Sequence, residues 1–369
     1  MPAILANAIA AELGLGTAWV FVGFSAALLL AAGLGPGAGR LVDVFGGRRV
    51  LACSSVVFAA GLAILGSASG IVSLLAAWLV IGAGMSAGLY EVAFAALARI
   101  YGGDARRSIT GITLIAGFAS TICWPLSAYM DVTLGWRAAC YVWAAAHLLI
   151  GLPLNLFLPE SRDVPATSES AAMEDPQRGR FAVTAALSFV FAVTWFCSTA
   201  MAAHLPRLLQ ESGASLSAAI AAAALVGPAQ VAARMLEFGL VRHVHPLISA
   251  RIATLTHPVG AAGLLAVGAP GAAFFAVAHG AGNGVMTVAM GTLPLALFGA
   301  AGYGLRQGLL MVPARILQAG APFVFDVLLS RYGTGSLALT AGLSVASFVV
   351  LMLLPARAKQ WAKTQSGAL

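Results

Sequence analysis

Charge is what this sequence has least of. Asp, Glu, Lys and Arg together make up 9% of its 369 residues against 60% hydrophobic, and the mean hydropathy is +0.93. A soluble domain of this size carries far more polar surface, so an aqueous fold is excluded. Cysteine is scarce as well. Cys53, Cys123, Cys140 and Cys197 all fall in apolar runs with no CxxC or CxxH spacing, which points to neither a zinc site nor a disulfide framework and leaves them as small hydrophobes. No GxxxxGKS/T loop is present to cradle a nucleotide phosphate, and no GxSxG elbow to present a nucleophile. An ATP-driven pump and a serine hydrolase therefore drop out, and no acid–base pair at catalytic spacing marks any other enzyme. No cofactor and no metal are expected.

What is abundant is apolar sequence in runs of membrane length. About 20 apolar residues span roughly 30 Å of hydrocarbon as helix, and backbone groups in lipid must be satisfied within the segment. The predicted fold class is therefore all-α, a polytopic membrane helix bundle. A short apolar stub covers Met1–Ala11, too short to span. Full spans are predicted at 18–38, 50–68, 71–98, 108–130 and 138–158, then at 181–203, 216–240, 247–268, 271–297, 304–330 and 334–355. One long hydrophilic segment, Glu160 to Arg180, lies between the two sets. The expected division is an N-terminal half at 1–158, a linker at 159–180, a C-terminal half at 181–356 and a tail at 357–369.

The few charges are placed unevenly. Arg40, Arg48, Arg49, Arg99, Arg106, Arg107, Arg162, Arg178, Arg180, Arg242, Arg251, Arg306, Arg357, Lys359 and Lys363 fall at alternate loops. The opposite loops hold Arg137, Arg207 and Arg331, while Arg234 and Arg315 lie within spans. The positive-inside rule makes the first set cytoplasmic, and with it the linker and C-terminus, so the net charge of +7 encodes orientation rather than a nucleic-acid surface. The halves also repeat. Ala38-Gly39-Arg40-Leu41-Val42-Asp43 and Ala232-Ala233-Arg234-Met235-Leu236-Glu237 both read small-small-Arg-apolar-apolar-acid, each following a Gly-Pro pair at 35–36 and 227–228. Duplicated halves around a midplane site are a common plan for secondary transporters.

Gly39 to Arg49, GRLVDVFGGRR, reads as a tight, glycine-punctuated turn between the runs ending near Leu34 and starting at Val50. It resembles the signature loop between the second and third helices of the major facilitator superfamily. Gly135-Trp136-Arg137 resembles another recurrent feature of that family, and the resemblance covers about Ala11 to Pro355. It implies two pseudo-symmetric six-helix halves, with helices 1, 4, 7 and 10 bordering the cavity. Three departures stand out. Val44 and Gly47 occupy positions where the family often carries basic residues. The fifth span, GFASTICWPL from Gly117 to Leu126, lacks the fuller Gly-Pro and Gly-Gly pattern associated with antiporters. The first span is truncated; a start site placed too far downstream is the favoured reading, beside a genuine eleven-helix form and an interfacial stub.

Glu91 is the sharpest candidate. In GLYEVAFAALAR it lies eight residues before Arg99, roughly 12 Å along a helix. A carboxylate at that depth is costly unless protonated or paired, which suits a proton carrier as well as a structural hydrogen bond. Arg315, Gln318, Pro322 and Asp326 share one helical face by their spacing. Arg315 cannot shed its charge, so it holds either an anionic substrate group or a partner across the bundle. His279 and Asn283, at i and i+4, are placed for solute contact, with His279 a possible member of a proton relay; His257 looks structural. Trp195 and Tyr90 are candidate aromatic walls. The resemblance gives Asp43 a bracing role at the start of helix 11, with Arg306 as the nearby basic group. Internal symmetry then gives Glu237 the same role near Arg106 and Arg107. Gly39, Arg40, Gly46, Arg48, Arg49 and Arg234 complete this expected gate.

The resulting expectation is a secondary transporter moving a small organic solute by alternating access, proton-coupled and an exporter. The alternatives are uptake of an organic anion or metabolite and a non-transporting sensor on the same fold. Its partners would be solute, protons and lipid, with no nucleic acid, and the chain a monomer in a bacterial inner membrane.

Overall fold

Apolar runs deprived of water close their hydrogen bonds along their own backbone, and the chain is helical almost throughout. The computed structural model describes residues 2–159, 176–239 and 244–354, without the side chains at 2, 3, 120, 121 and 176–180. The expected linker at 159–180 and tail at 357–369 lie almost wholly outside the described residues. So do the side chains of Arg162, Arg178, Arg180, Arg242, Arg357, Lys359 and Lys363.

The order is α1 (Pro2–Glu12), α2 (Thr17–Phe45), α3 (Gly47–Gly66), α4 (Ile71–Gly88), α5 (Tyr90–Tyr101), α6 (Ala105–Gly117), α7 (Ala119–Leu134) and α8 (Trp136–Ala146), with α9 (Leu152–Leu156) after a π-turn. Then come α10 (Pro176–Glu211), α11 (Leu216–Ala224), α12 (Val226–Gly239), α13 (Pro246–Val267), α14 (Ala272–Phe298), α15 (Tyr303–Tyr332) and α16 (Leu337–Leu353). No strand occurs among the described residues. Among the described residues, nine helical stretches are long and apolar enough to cross a bilayer, and two of them, Ile71–Leu134 and Tyr303–Leu353, run to 64 and 51 residues. Each of these two is long enough to cross twice, which accommodates the eleven full spans expected. Large apolar side chains such as Val72 and Val132, 80% and 87% exposed, face outward as lipid contact requires.

Two local differences from the sequence reading matter. The turn expected across Gly39–Arg49 is mostly helix: α2 continues to Phe45 and α3 starts at Gly47. Gly46 alone makes the corner, at φ 84°, a conformation open to glycine without a Cβ penalty. The fourth span is broken. Leu89 adopts an extended conformation between α4 and α5, so Glu91 falls in the first turn of a new helix rather than mid-helix.

The chain packs into two compact units that do not follow it in order. Unit 1 comprises residues 1–106, 118–170 and 297–320; unit 2 comprises 107–117, 171–296 and 321–369. Unit 1 is centred on Leu5, Ile9, Val20, Leu65, Leu74, Trp78 and Cys140, so the stub α1 is part of its core. Unit 2 is centred on Phe196, Met201, Leu264, Phe275, Phe325 and Leu337. Close helix contacts need small residues where lipid supplies no driving force. In unit 2 a Cβ on Gly284 would overlap the Gln230 carbonyl, 2.5 Å away.

Candidate functional site

In unit 1, Glu91 and Arg315 form a buried ion pair. Arg315 Nη2 donates to Glu91 Oε1 at 2.6 Å, with side-chain exposures of 8% and 14%. The Leu89 break gives the carboxylate a second support, because the first turn of α5 presents unsatisfied N–H groups and the positive end of the helix dipole. Arg315 Nη1 donates to Gln318 Oε1 at 2.8 Å. The pair lines a cleft of about 300 Å³ whose wall comes from Ala31, Ala32 and Gly35 on α2, Met85 and Ser86 on α4, and Gly308 and Met311 on α15. Tyr90 is half-buried beside it in sequence and stacks on Phe94 at 5.3 Å.

The start of α15 is clamped to α2 in the same unit. Asp43 accepts from the backbone N–H of Gly304 (2.9 Å) and of Leu305 (2.8 Å). These are orphan donors of a helix N-terminus, a natural seat for a carboxylate. Arg306, expected as the partner of Asp43, turns back to the carbonyls of Gly299 (3.3 Å) and Ala301 (3.0 Å) and covers the Phe298 ring at 4.8 Å. The two helices cross on glycines spaced by four. A Cβ on Gly39 would overlap the Gly304 carbonyl, and one on Gly308 would meet the Gly35 carbonyl at 2.7 Å. Arg99 caps the C-terminal end of α2 through the Val42 carbonyl (2.8 Å) and the Asp43 carbonyl. Arg40 and Arg49 are exposed and Arg48 half-buried around this crossing, while Gly46 is buried.

In unit 2 the matching repeat behaves differently. Arg234 is 5% exposed, donating to the carbonyls of Thr113 on α6 (3.0 Å) and Gly284 on α14 (3.4 Å) and to Thr287 Oγ1 (3.4 Å). Glu237, also buried, accepts from Ser249 Oγ at 3.2 Å. The sequence match of Arg40 with Arg234 thus does not extend to burial: one is exposed, the other enclosed. Arg106 is half-buried and Arg107 exposed at the start of α6.

A second cavity, of about 360 Å³, lies within unit 2 between α10, α13, α14 and α16, with His279 and Asn283 on its wall. His257, expected to be structural, is drawn into it: its Nδ1 is 3.0 Å from His279 Nδ1 and its Nε2 is 3.0 Å from Thr340 Oγ1. Trp195 is half-buried on α10. Asp326, expected beside Arg315, belongs to unit 2, where it pairs with Arg207 at 2.7 Å and lies half-exposed.

With this geometry in view, the family model described as Major Facilitator Superfamily matches residues 1–270, well over half of the chain. The chain belongs to the major facilitator superfamily. No curated protein matches it. Solved structures similar in fold include the human organic anion transporter MFSD10 (TETRAN), 17% identical, with 94% of this chain and 88% of that one covered at a TM-score of 0.67. The proton:xylose symporter XylE, bound to 6-bromo-6-deoxy-D-glucose, is 15% identical, covering 96% and 90% at 0.71. The E. coli fucose:proton symporter FucP is 15% identical, covering 95% and 96% at 0.67. The superfamily membership and the apolar helices together make the chain an integral membrane protein of a transporter family. At such identities the neighbours speak for the superfamily's fold and leave the solute open. Three features of this member escaped the sequence: the Leu89 break, the interlocked glycines of α2 and α15, and the His257–His279 contact. Two glycines four apart at 35/39 and again at 304/308 were the available signal for the second.

Proposed function

We propose that this chain is a proton-coupled secondary transporter of a small organic anion, with Glu91 as proton carrier and Arg315 as anion anchor. The observation supporting it is the buried 2.6 Å ion pair on the wall of the 300 Å³ cleft. A carboxylate solute entering this cleft competes with Glu91 for the guanidinium. Glu91, released from its counter-ion, then takes up the proton that keeps the buried site neutral. Anion binding and proton binding then promote each other, and linkage makes the effect reciprocal. Two ligands that load together travel together, so an inward proton gradient drives uptake. Export against protons needs solute and proton to compete for the loaded state. The pairing supports cooperation instead, and the anion-uptake reading is taken over the export reading.

The Asp43 clamp and the Arg234–Glu237 cluster are assigned as gate elements. The bias of arginine across loops supports a bacterial plasma membrane with linker and C-terminus inside. The test is accumulation of labelled mono- and dicarboxylates in proteoliposomes with and without an imposed pH gradient. Wild type should concentrate at least one of them only with the gradient. Glu91→Gln should lose accumulation yet keep anion-for-anion exchange. Undiminished gradient-driven accumulation by Glu91→Gln would sink the assignment of the carrier.

A further inference from the structure

The unit 2 cavity has one chemical peculiarity: its wall hydroxyls have spent their protons. Thr194 donates its hydroxyl to the Val190 carbonyl (2.8 Å), Thr254 to Arg251 (2.9 Å) and Thr256 to Ala253 (2.8 Å). Ser344 donates to the Thr340 carbonyl (2.9 Å) and Ser347 to Leu343 (3.0 Å). All five side chains line the cavity. A hydroxyl has one proton and two lone pairs, so each of these groups has only acceptance left to offer.

The histidine pair completes the pattern. Thr340 donates its own proton to the Leu337 carbonyl at 3.2 Å. Its oxygen must then accept from His257, which places the His257 proton on Nε2 and leaves Nδ1 a bare acceptor. His279 Nδ1–H supplies the bond at 3.0 Å. The proton order runs from the Leu337 carbonyl outward and ends at His279 Nε2, a lone pair with no hydrogen-bond partner among the described residues. His279 is 5% exposed and lines the cavity. The Phe275 ring packs on both histidines, at 5.5 and 6.1 Å, and among the described residues no acidic or basic side chain other than the histidines lines the site. Asn283 is the sole side-chain amide on the wall among the described residues.

We propose that this cavity is a binding site for a small neutral solute rich in N–H or O–H donors, seated on His279 Nε2 and the surrounding hydroxyl oxygens. An anion would meet acceptors at every wall group but the Asn283 amide. A cation would be buried without a counter-charge, which is costly. Neutral donors such as a polyol or a urea satisfy the walls at no such cost. Neither Glu91 nor Arg315 lines this cavity, so the inference stands without the anion-transport reading.

The test uses full-length protein in detergent, selectively labelled with ¹⁵N-histidine and assigned with His257→Gln and His279→Gln. In wild type His257 should show the Nε2–H tautomer and His279 the Nδ1–H tautomer. Glycerol and urea, titrated separately, distinguish O–H from N–H donors, and at least one should shift the His279 Nε2 resonance saturably. Methylammonium and acetate should not. Thr254→Val removes one acceptor without touching the histidine chain and should weaken the effective probe by about two- to tenfold, with tautomers unchanged. A proton on His279 Nε2, a saturable response to methylammonium or acetate, or no saturable response to either neutral probe overturns the proposal; the last outcome means that the cavity takes water alone.

Discussion

A double-mutant cycle on Glu91 and Arg315 tests whether the pair at the heart of the cleft is an ion pair in energy as well as in geometry. At 2.6 Å between charged atoms, Coulomb's law at an effective dielectric constant of 20 gives about 6 kcal/mol of attraction. Most of that offsets the cost of taking both groups out of water. What survives is asymmetry: removing one partner of a buried pair costs about 3–5 kcal/mol because the other is left as an uncompensated charge. Glu91→Gln keeps the shape but strands the guanidinium, with Gln318 as an uncharged neighbour at 2.8 Å. Arg315→Gln strands the carboxylate, with the α5 N-terminus as partial relief. The double variant strands nothing. Each single variant should lower the thermal midpoint of the detergent-solubilised protein, Glu91→Gln by more. The double variant should recover toward wild type, with a coupling of about 1–3 kcal/mol. Strict additivity would refute the charge-compensation argument and with it the competition on which proton coupling rests.

Asp43→Asn removes the charge from a carboxylate seated on two backbone N–H groups. It should weaken that seat by about 1–3 kcal/mol, read as faster alkylation of a cysteine placed at Leu305. Gly304→Ala forces a methyl against Asp43 and the Gly39 carbonyl, and overpacking of this kind costs about 1–3 kcal/mol. The same cysteine should react faster in that background, whereas Gly342→Ala, where nothing lies within 4 Å, should leave it unchanged. A third expectation concerns Glu12, which accepts from Arg137 Nε (2.7 Å) and Trp136 Nε1 (2.5 Å). Those bonds, Arg137 first, hold its carboxyl below the ordinary value of 4.5. A depressed carboxylate contributes stability above its unfolded value and loses it as pH falls through the folded one. Trp136 fluorescence should therefore change in a titration below about pH 4.5 and not between pH 5 and 7; Glu12→Gln should abolish the change.

How much of this could be read from the chain depends on whether the deciding interaction is local. The helical class follows from hydropathy alone, since each apolar run satisfies its own backbone. Glu91 and Arg315 were each conspicuous as charges in apolar surroundings, because a misplaced charge is visible without a partner. That they meet was not legible: 224 positions separate them, and nothing in either neighbourhood names the other. Asp43 sits at the start of α15 as expected, but on the Gly304 and Leu305 amides rather than on Arg306. A backbone amide has no letter in the sequence, whereas a nearby cation does. The fourth span reads as one helix because Leu89 is a good helix former, yet Leu89 is extended between α4 and α5. His257 was set aside on the position of its helix, yet a bond to His279 makes it part of a cavity wall.

The arginines differ in what they hold. Arg99 bonds the carbonyls that end α2, and Arg251 those of Leu351 and Leu354 at the end of α16. Arg137 bonds the Gly66 carbonyl beside its exposed pair with Glu12, and Arg207 pairs with Asp326 where both are half-exposed. A carbonyl has no second charge state, so a cation resting on it has nothing to exchange at any proton gradient. An exposed carboxylate exchanges freely with water, and its neutralisation costs the bundle little. Arg315 differs on both counts: its partner is an acid that a proton can neutralise, and the pair is buried on the wall of a cleft. Energy from a proton gradient can be converted into movement only where protonation changes a buried interaction. That condition is met at Glu91 and Arg315, and the proposal of proton coupling rests there.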